Sequence, residues 1–143
     1  KVEVLIKNLA MPNGIVFSPD GSRLYVADTG GHKRHPDPKY HDYPDTVTCY
    51  AVSKKGKLGK KLFTIDEGSD GMAVDVKGNL YLTHGQVQVY DADGKKLETI
   101  EVPEKPANVC FGGKDYKTLF ITARTSLYQV RLAHAGAMSL RNK

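Results

Sequence analysis

Two short phrases, Pro12-Asn13-Gly14 and Ser69-Asp70-Gly71, carry the side chains best suited to chemistry in this sequence. They are in register: Asn13 stands four residues before Phe17, and Asp70 four before Val74. An amide oxygen and a carboxylate brought to one point are hard donors, suited to calcium, magnesium or manganese and not to a thiolate-seeking metal. Asn or Asp before Gly is also a plain turn signal, and residue types alone leave both readings standing. A third phrase, Ala107-Asn108, occupies the corresponding place further on, and His84 and Arg124 follow the second and third repeats as groups able to contact a polyol or a carboxylate.

Other chemistries find less support. The stretch from Gly30 to Asp45 holds His32, His35 and His41 with Asp37, Asp42 and Asp45. Its spacings fit no tight zinc pattern, and Pro36, Pro38 and Pro44 mark an irregular loop. It reads as a solvated loop, a lid over substrate, or a second metal site. No Gly-x-Ser-x-Gly elbow, Cys-x-x-Cys pair or phosphate-cradling loop occurs. Cys49 and Cys110 lie in apolar runs and are expected to be buried and reduced. The lysines at 54, 55, 57, 60 and 61 fall on a turn and read as solvated.

What must position Asn13 and Asp70 is a repeated strand pair. Gly14-Ile15-Val16-Phe17, a turn at Ser18-Pro19-Asp20-Gly21, and Leu24-Tyr25-Val26 form one copy. Met72-Ala73-Val74 with Leu80-Tyr81-Leu82, and Val109-Cys110-Phe111 with Leu119-Phe120-Ile121, form two more. Such runs joined by Asp-Gly or Gly-Asn are hairpin signals. Third strands follow at Val47–Val52, Val87–Tyr90 and Leu127–Leu132, and fourth strands at Leu62–Ile65 and Leu97–Val102. Four strands per unit, with markers Tyr25, Tyr81 and Phe120 spaced by 56 and 39 residues, is the grammar of an all-β propeller.

Lettering the strands A to D from the axis outward, Glu3–Leu9 reads as a leading D strand. The chain then gives 12 strands in three four-stranded blades over residues 1–132, followed by a loosely structured tail over 133–143. Three blades cannot close, since propellers need about 4 to 8. The arc is expected to be half of a six-bladed propeller, completed by a missing N-terminal half or by a homodimer in which each leading D strand finishes the other copy's last blade. In an ABCD blade the D-to-A and B-to-C connections emerge on one face, which gathers Asn13, Asp70, Asn108, His84 and Arg124.

Composition sets the outer limits. The 143 residues carry 26% charged and 40% apolar side chains with a net charge of +5, a soluble globular balance. The charge divides evenly, with 11 basic and 9 acidic groups in residues 1–71 against 10 and 7 in 72–143, so no nucleic-acid face is advertised. No apolar run approaches the roughly 20 residues of a membrane helix, and Lys1–Leu5 form no signal-peptide pattern. A soluble, cytoplasmic protein is the expectation, without nucleic-acid or membrane partners. Lacking an initiator Met, the chain is expected to be a processed or trimmed piece.

Met11 to Gly21, Leu24 to Thr29, Ser69 to Asp75, Gly78 to Tyr81 and Cys110 to Gly113 occur in an order that resembles the C-terminal half of the gluconolactonase or senescence marker protein (regucalcin) family. The resemblance implies a six-bladed propeller with one divalent metal in its channel, calcium foremost, with zinc, manganese and magnesium as alternatives. It also implies hydrolysis of a sugar lactone or related cyclic ester. Asn13 and Asp70 match two of the family's metal ligands, and Asp70 its proposed catalytic carboxylate; Asn108, His84 and Arg124 are candidate substrate contacts. The family's Glu ligand, and an Arg and an Asn that contact substrate, come from early blades with no counterpart here. The expected function is therefore a metal-dependent lactonase completed by further blades. The alternative is a non-catalytic propeller segment that binds a ligand or partner, or an inactive fragment.

Overall fold

A computed structural model describes residues 1–30 and 35–142, with side chains to 139. Among these residues eleven strands form three antiparallel sheets. The first holds β1 (Pro12–Phe17), β2 (Arg23–Asp28), β3 (Thr46–Val52) and β4 (Leu58–Ile65); the second β5 (Met72–Val74), β6 (Leu80–His84), β7 (Gln86–Tyr90) and β8 (Lys96–Ile100). The third holds only β9 (Pro106–Gly112), β10 (Thr118–Ala123) and β11 (Leu127–Arg131). Strands pair in chain order within each sheet, and the inner strands β1, β5 and β9 are neighbours. This is the radial arrangement of propeller blades.

Alternation along the strands explains the packing. Tyr25, Ala27, Val47 and Cys49 of the first blade meet Met72, Val74, Leu80 and Leu82 of the second in one buried cluster. Tyr81, Val87 and Val89 on the second blade's other face meet Val109, Phe111, Leu119 and Ile121 of the third. Only the middle blade is therefore covered on both faces. Among the described residues no helix is long and apolar enough to cross a membrane.

Three expectations need correction. Glu3–Leu9 forms no strand, because the inner strands it would pair with are not in this chain; Val2, Val4 and Leu5 stand exposed. The third blade has three strands and no outer strand of its own, as the order of the repeat implied. Cys110 is exposed while Cys49 is buried, and neither is in a disulfide. The register pairs Cys110 with Phe120 and sends its neighbours Val109 and Phe111 into the core, leaving the thiol on the uncovered face.

Residues 133–139, expected to be loose, are docked. Ala135 accepts from Val76 N at 2.8 Å, Gly136 N donates to Tyr116 O at 2.8 Å, and Asp75 and Gly136 form an isolated bridge. The strap thereby ties the second blade to the third and continues into a 3-10 turn at Ala137–Asn142. Its amides found partners on the A-to-B turns, a long-range contact without local sequence pattern.

Candidate functional site

The loops leading into the inner strands and the ends of the second strands meet on one face. A recess of about 490 Å³ is lined by Asn13, Gly14, Asp70, Gly71, Ala107 and Asn108 among others. A second, of about 290 Å³, again includes Asn13 and Asp70 and adds Thr29, Asp45, His84 and Lys105. Asn13, Asp70, Asn108 and His84 are thus gathered as expected. Arg124 lines neither recess; it sits in the exposed turn closed by Ala123 N to Ser126 O at 2.9 Å.

Two glycines allow this convergence. A Cβ on Gly14 would lie 2.6 Å from the Asp70 carbonyl oxygen, and one on Gly71 would lie 2.8 Å from the Asn108 Cα. Neither has a positive φ, so the requirement is space between neighbouring blades and not backbone freedom. Each glycine admits the next blade's loop, which brings Asn13, Asp70 and Asn108 around one hub.

Buried polar groups then fix the loops. Asp28, at the end of β2, accepts from Ala10 N at 2.8 Å and Met11 N at 2.6 Å, holding the segment that presents Asn13. In the second blade Thr83 N donates to Ser69 Oγ at 2.8 Å, and Thr83 Oγ1 lies 2.8 Å from Gly71 O and 3.1 Å from Ala107 O. One hydroxyl therefore ties the Asp70 loop to the Asn108 loop. Sequence reading gave Asp28, Ser69 and Thr83 no role. The signal was a polar residue ending an otherwise apolar strand.

Asn13 and Asp70 are exposed, and among the described residues neither side chain makes a hydrogen bond or ion pair to protein. Two unengaged oxygen donors on a shared recess fit part of the shell of an oxygen-seeking cation, which takes about 6–8 donors in the case of calcium. Among the described residues no group of three or more His, Cys, Asp or Glu is placed to hold an ion. In the insertion, His35 pairs with the Asp37 backbone and His41 Nε2 with His35 O at 2.9 Å, while Tyr40 lies between His35 and Tyr43. Residues 35–43 are thus held by contacts among themselves; His32 lies outside the described residues. The insertion's far end, Asp45, pairs with His84 at 3.3 Å.

Residues 1–125 match the family described as SMP-30/Gluconolactonase/LRE-like region. The chain belongs to that family. Among its relatives, bovine regucalcin is 39% identical over 126 residues, covering 85% of this chain and 40% of the relative. The 6-deoxy-6-sulfogluconolactonase of Pseudomonas putida is 30% identical over 128 residues, covering 86% and 41%. Among solved structures, a gluconolactonase from Xanthomonas campestris superposes with a TM-score of 0.68 at 30% identity, covering 89% of this chain and 39% of that one. A calcium-binding regucalcin from Agrobacterium tumefaciens gives 0.70 at 29% identity, covering 88% and 42%. The chain spans about two fifths of the length of these family members, and the propeller reading is borne out.

Proposed function

We propose that this chain supplies part of the hub of a metal-dependent lactonase acting on a sugar lactone or related cyclic ester. The observation that carries the reading is the pair Asn13 and Asp70: matched in register, free of protein partners and sharing both recesses on one face. The relatives' names, gluconolactonase, sulfogluconolactonase and pentonolactonase, support the substrate class. The regucalcin structure described as calcium-binding supports calcium, with magnesium, manganese and zinc as alternatives.

In this reading Asn13 Oδ1 and the Asp70 carboxylate would hold a divalent cation, and Asp28 and Thr83 keep both loops in place. A cation held there would supply polarisation of the lactone carbonyl and acidification of water. Asn108, across Gly71 from the Asp70 loop, accepts from Val109 N at 2.8 Å through Oδ1, and its Nδ2 would donate to a substrate hydroxyl. Asp70 serves first as a ligand and only second as a base, since a carboxylate on a cation is held ionised and weakly basic. Two donors do not complete a calcium shell. The remainder would come from water and from the blades that close the ring, either more of the same polypeptide or a second copy whose residues 3–9 would complete the three-stranded blade.

Lactone hydrolysis is measured with calcium, manganese or zinc for the unaltered protein and Asp70→Ala, with solution mass determined alongside. Metal-dependent turnover lost in the variant is expected; equal, metal-independent background rates in both would refute the enzyme. A second reading is a non-catalytic ligand-binding segment. It predicts metal or sugar-acid binding without turnover.

A further inference from the structure

If Asp70 is spent on a cation, the proposed reaction needs a proton carrier elsewhere on the same face. The second recess contains one candidate built as a dyad. His84, at the end of β6, places Nε2 3.3 Å from Asp45 Oδ2. Among the described residues its Nδ1 has no protein partner. Both side chains line the recess shared with Asn13 and Asp70, and neither is fully buried or fully exposed.

Asp45 is itself well seated. A Cβ on Gly68 would stand 3.1 Å from the Asp45 Cβ, and one on Gly30 would overlap its Oδ1 and lie 2.9 Å from its backbone nitrogen. Gly30 also takes a positive φ of 66°. Two glycines, one after β2 and one after β4, thus form a notch that sets the carboxylate against the next blade's histidine. A carboxylate beside one imidazole nitrogen draws the ring proton to that nitrogen and leaves the other able to accept one; the 3.3 Å separation is ion-pair contact, of the kind that tightens to a hydrogen bond when substrate binds.

We propose that His84, oriented by Asp45, is the proton carrier of this site. The assignment rests on the lactonase reading. Water attacks the lactone carbonyl carbon; as the new C–O bond forms, one water proton passes to His84 Nδ1. When the ring C–O bond breaks, the leaving alkoxide takes that proton and His84 returns to its neutral form. The balance is lactone plus water giving the hydroxy acid, with no other reactant.

The test uses His84→Gln, His84→Ala and Asp45→Asn. In lactone hydrolysis, His84→Gln is expected to lower kcat about 100-fold, the low end for acid–base catalysis, with KM little changed. Added imidazole is expected to restore part of the His84→Ala rate, which a structural role would not permit. Calcium titration by calorimetry is expected to be unchanged in His84→Gln and lost in Asp70→Ala. Nitrogen NMR at mildly alkaline pH is expected to show the His84 proton on Nε2, and to show a tautomer mixture in Asp45→Asn. Unaltered turnover in His84→Gln, or a proton on Nδ1 in the unaltered protein, overturns the dyad and leaves the lactonase standing. Absence of metal-dependent turnover in the unaltered protein overturns both.

Discussion

Gly14→Ala puts the hub geometry to its most direct test, because two effects of opposite sign compete there. Gly14 does not occupy the left-handed region, so alanine should adopt its backbone, and loss of unfolded-state freedom alone would stabilise the protein by about 0.4–1 kcal/mol. Against this, the added methyl would sit 2.6 Å from the Asp70 carbonyl oxygen and 2.9 Å from Met72 Cε. The methionine end can swing aside. The carbonyl cannot, because the Asp70 amide donates to Thr83 O at 3.3 Å and the following Gly71 amide to Ala107 O at 2.8 Å. Overpacking against fixed backbone costs about 1–3 kcal/mol, so the contact wins and the net loss is about 1–2 kcal/mol. With a urea slope of about 1–3 kcal/mol per molar, the midpoint falls by roughly 0.5–1 M. The protein has no Trp, so unfolding is followed by circular dichroism. Calcium affinity should fall with it, since the Asp70 loop is displaced from Asn13. An unchanged or higher midpoint would show that the first two blades do not approach as described, and the hub argument would fail.

The two thiols should separate cleanly: Ellman titration of the native protein is expected to report Cys110 alone and both cysteines only after unfolding, because burial covers Cys49 and pushes its thiol up. Burial, reinforced by the Glu67 carboxylate, pushes the Tyr90 phenol up to about 12, and burial next to Asp75 raises Tyr81 further. The folded state therefore holds these protons more tightly than the unfolded chain, whose phenols ionise near 10. The stability they contribute is complete below about 10 and falls as pH rises towards 12; burial raises the Tyr25 phenol as well, so ultraviolet titration should show three late tyrosines that become ordinary in urea. Asp75→Ala should cost about 1–3 kcal/mol in thermal or urea unfolding, because the buried carboxylate accepts from Lys77 N, Asn79 N, Asn79 Nδ2 and Tyr81 Oη and its loss leaves buried donors unpaired.

The blade pattern was legible because it is local: alternating apolar residues and Gly-containing turns place β1 with β2, β5 with β6 and β9 with β10 where the repeat puts them. The face carrying Asn13, Asp70, Asn108 and His84 followed from strand order alone. What stayed hidden depends on contacts across sequence. The strap at 135–136 is held by backbone bonds to Val76 and Tyr116, which no side-chain pattern announces. Asp45 read as one acid among several in an insertion, and only the fold sets it against His84 in another blade. Cys110 was misplaced because an apolar neighbourhood says nothing about which face is covered when the next blade is absent.

One cause accounts for part of the exposed apolar surface and for the thin ligand set. On the first blade Ile15 and Phe17 are 63% and 47% exposed, and on the third Leu127 is 67% exposed. These lie on the two faces that no blade of this chain covers. β11 has an unpaired outer edge, while residues 3–9 are strand-free. An edge and an unpaired segment of this kind are complementary. In the proposed ring, whatever covers Ile15 and Phe17 also advances its own inner strands to the hub, as β5 does when Gly14 admits Asp70. The donors lacking beside Asn13 and Asp70 would then arrive on the surfaces that bury the exposed side chains. Core completion and metal affinity should accordingly rise together: addition of the missing blades, in one chain or from a second copy, should raise the melting temperature and tighten calcium binding in the same step. A large gain in one without the other would separate the hub from the rim.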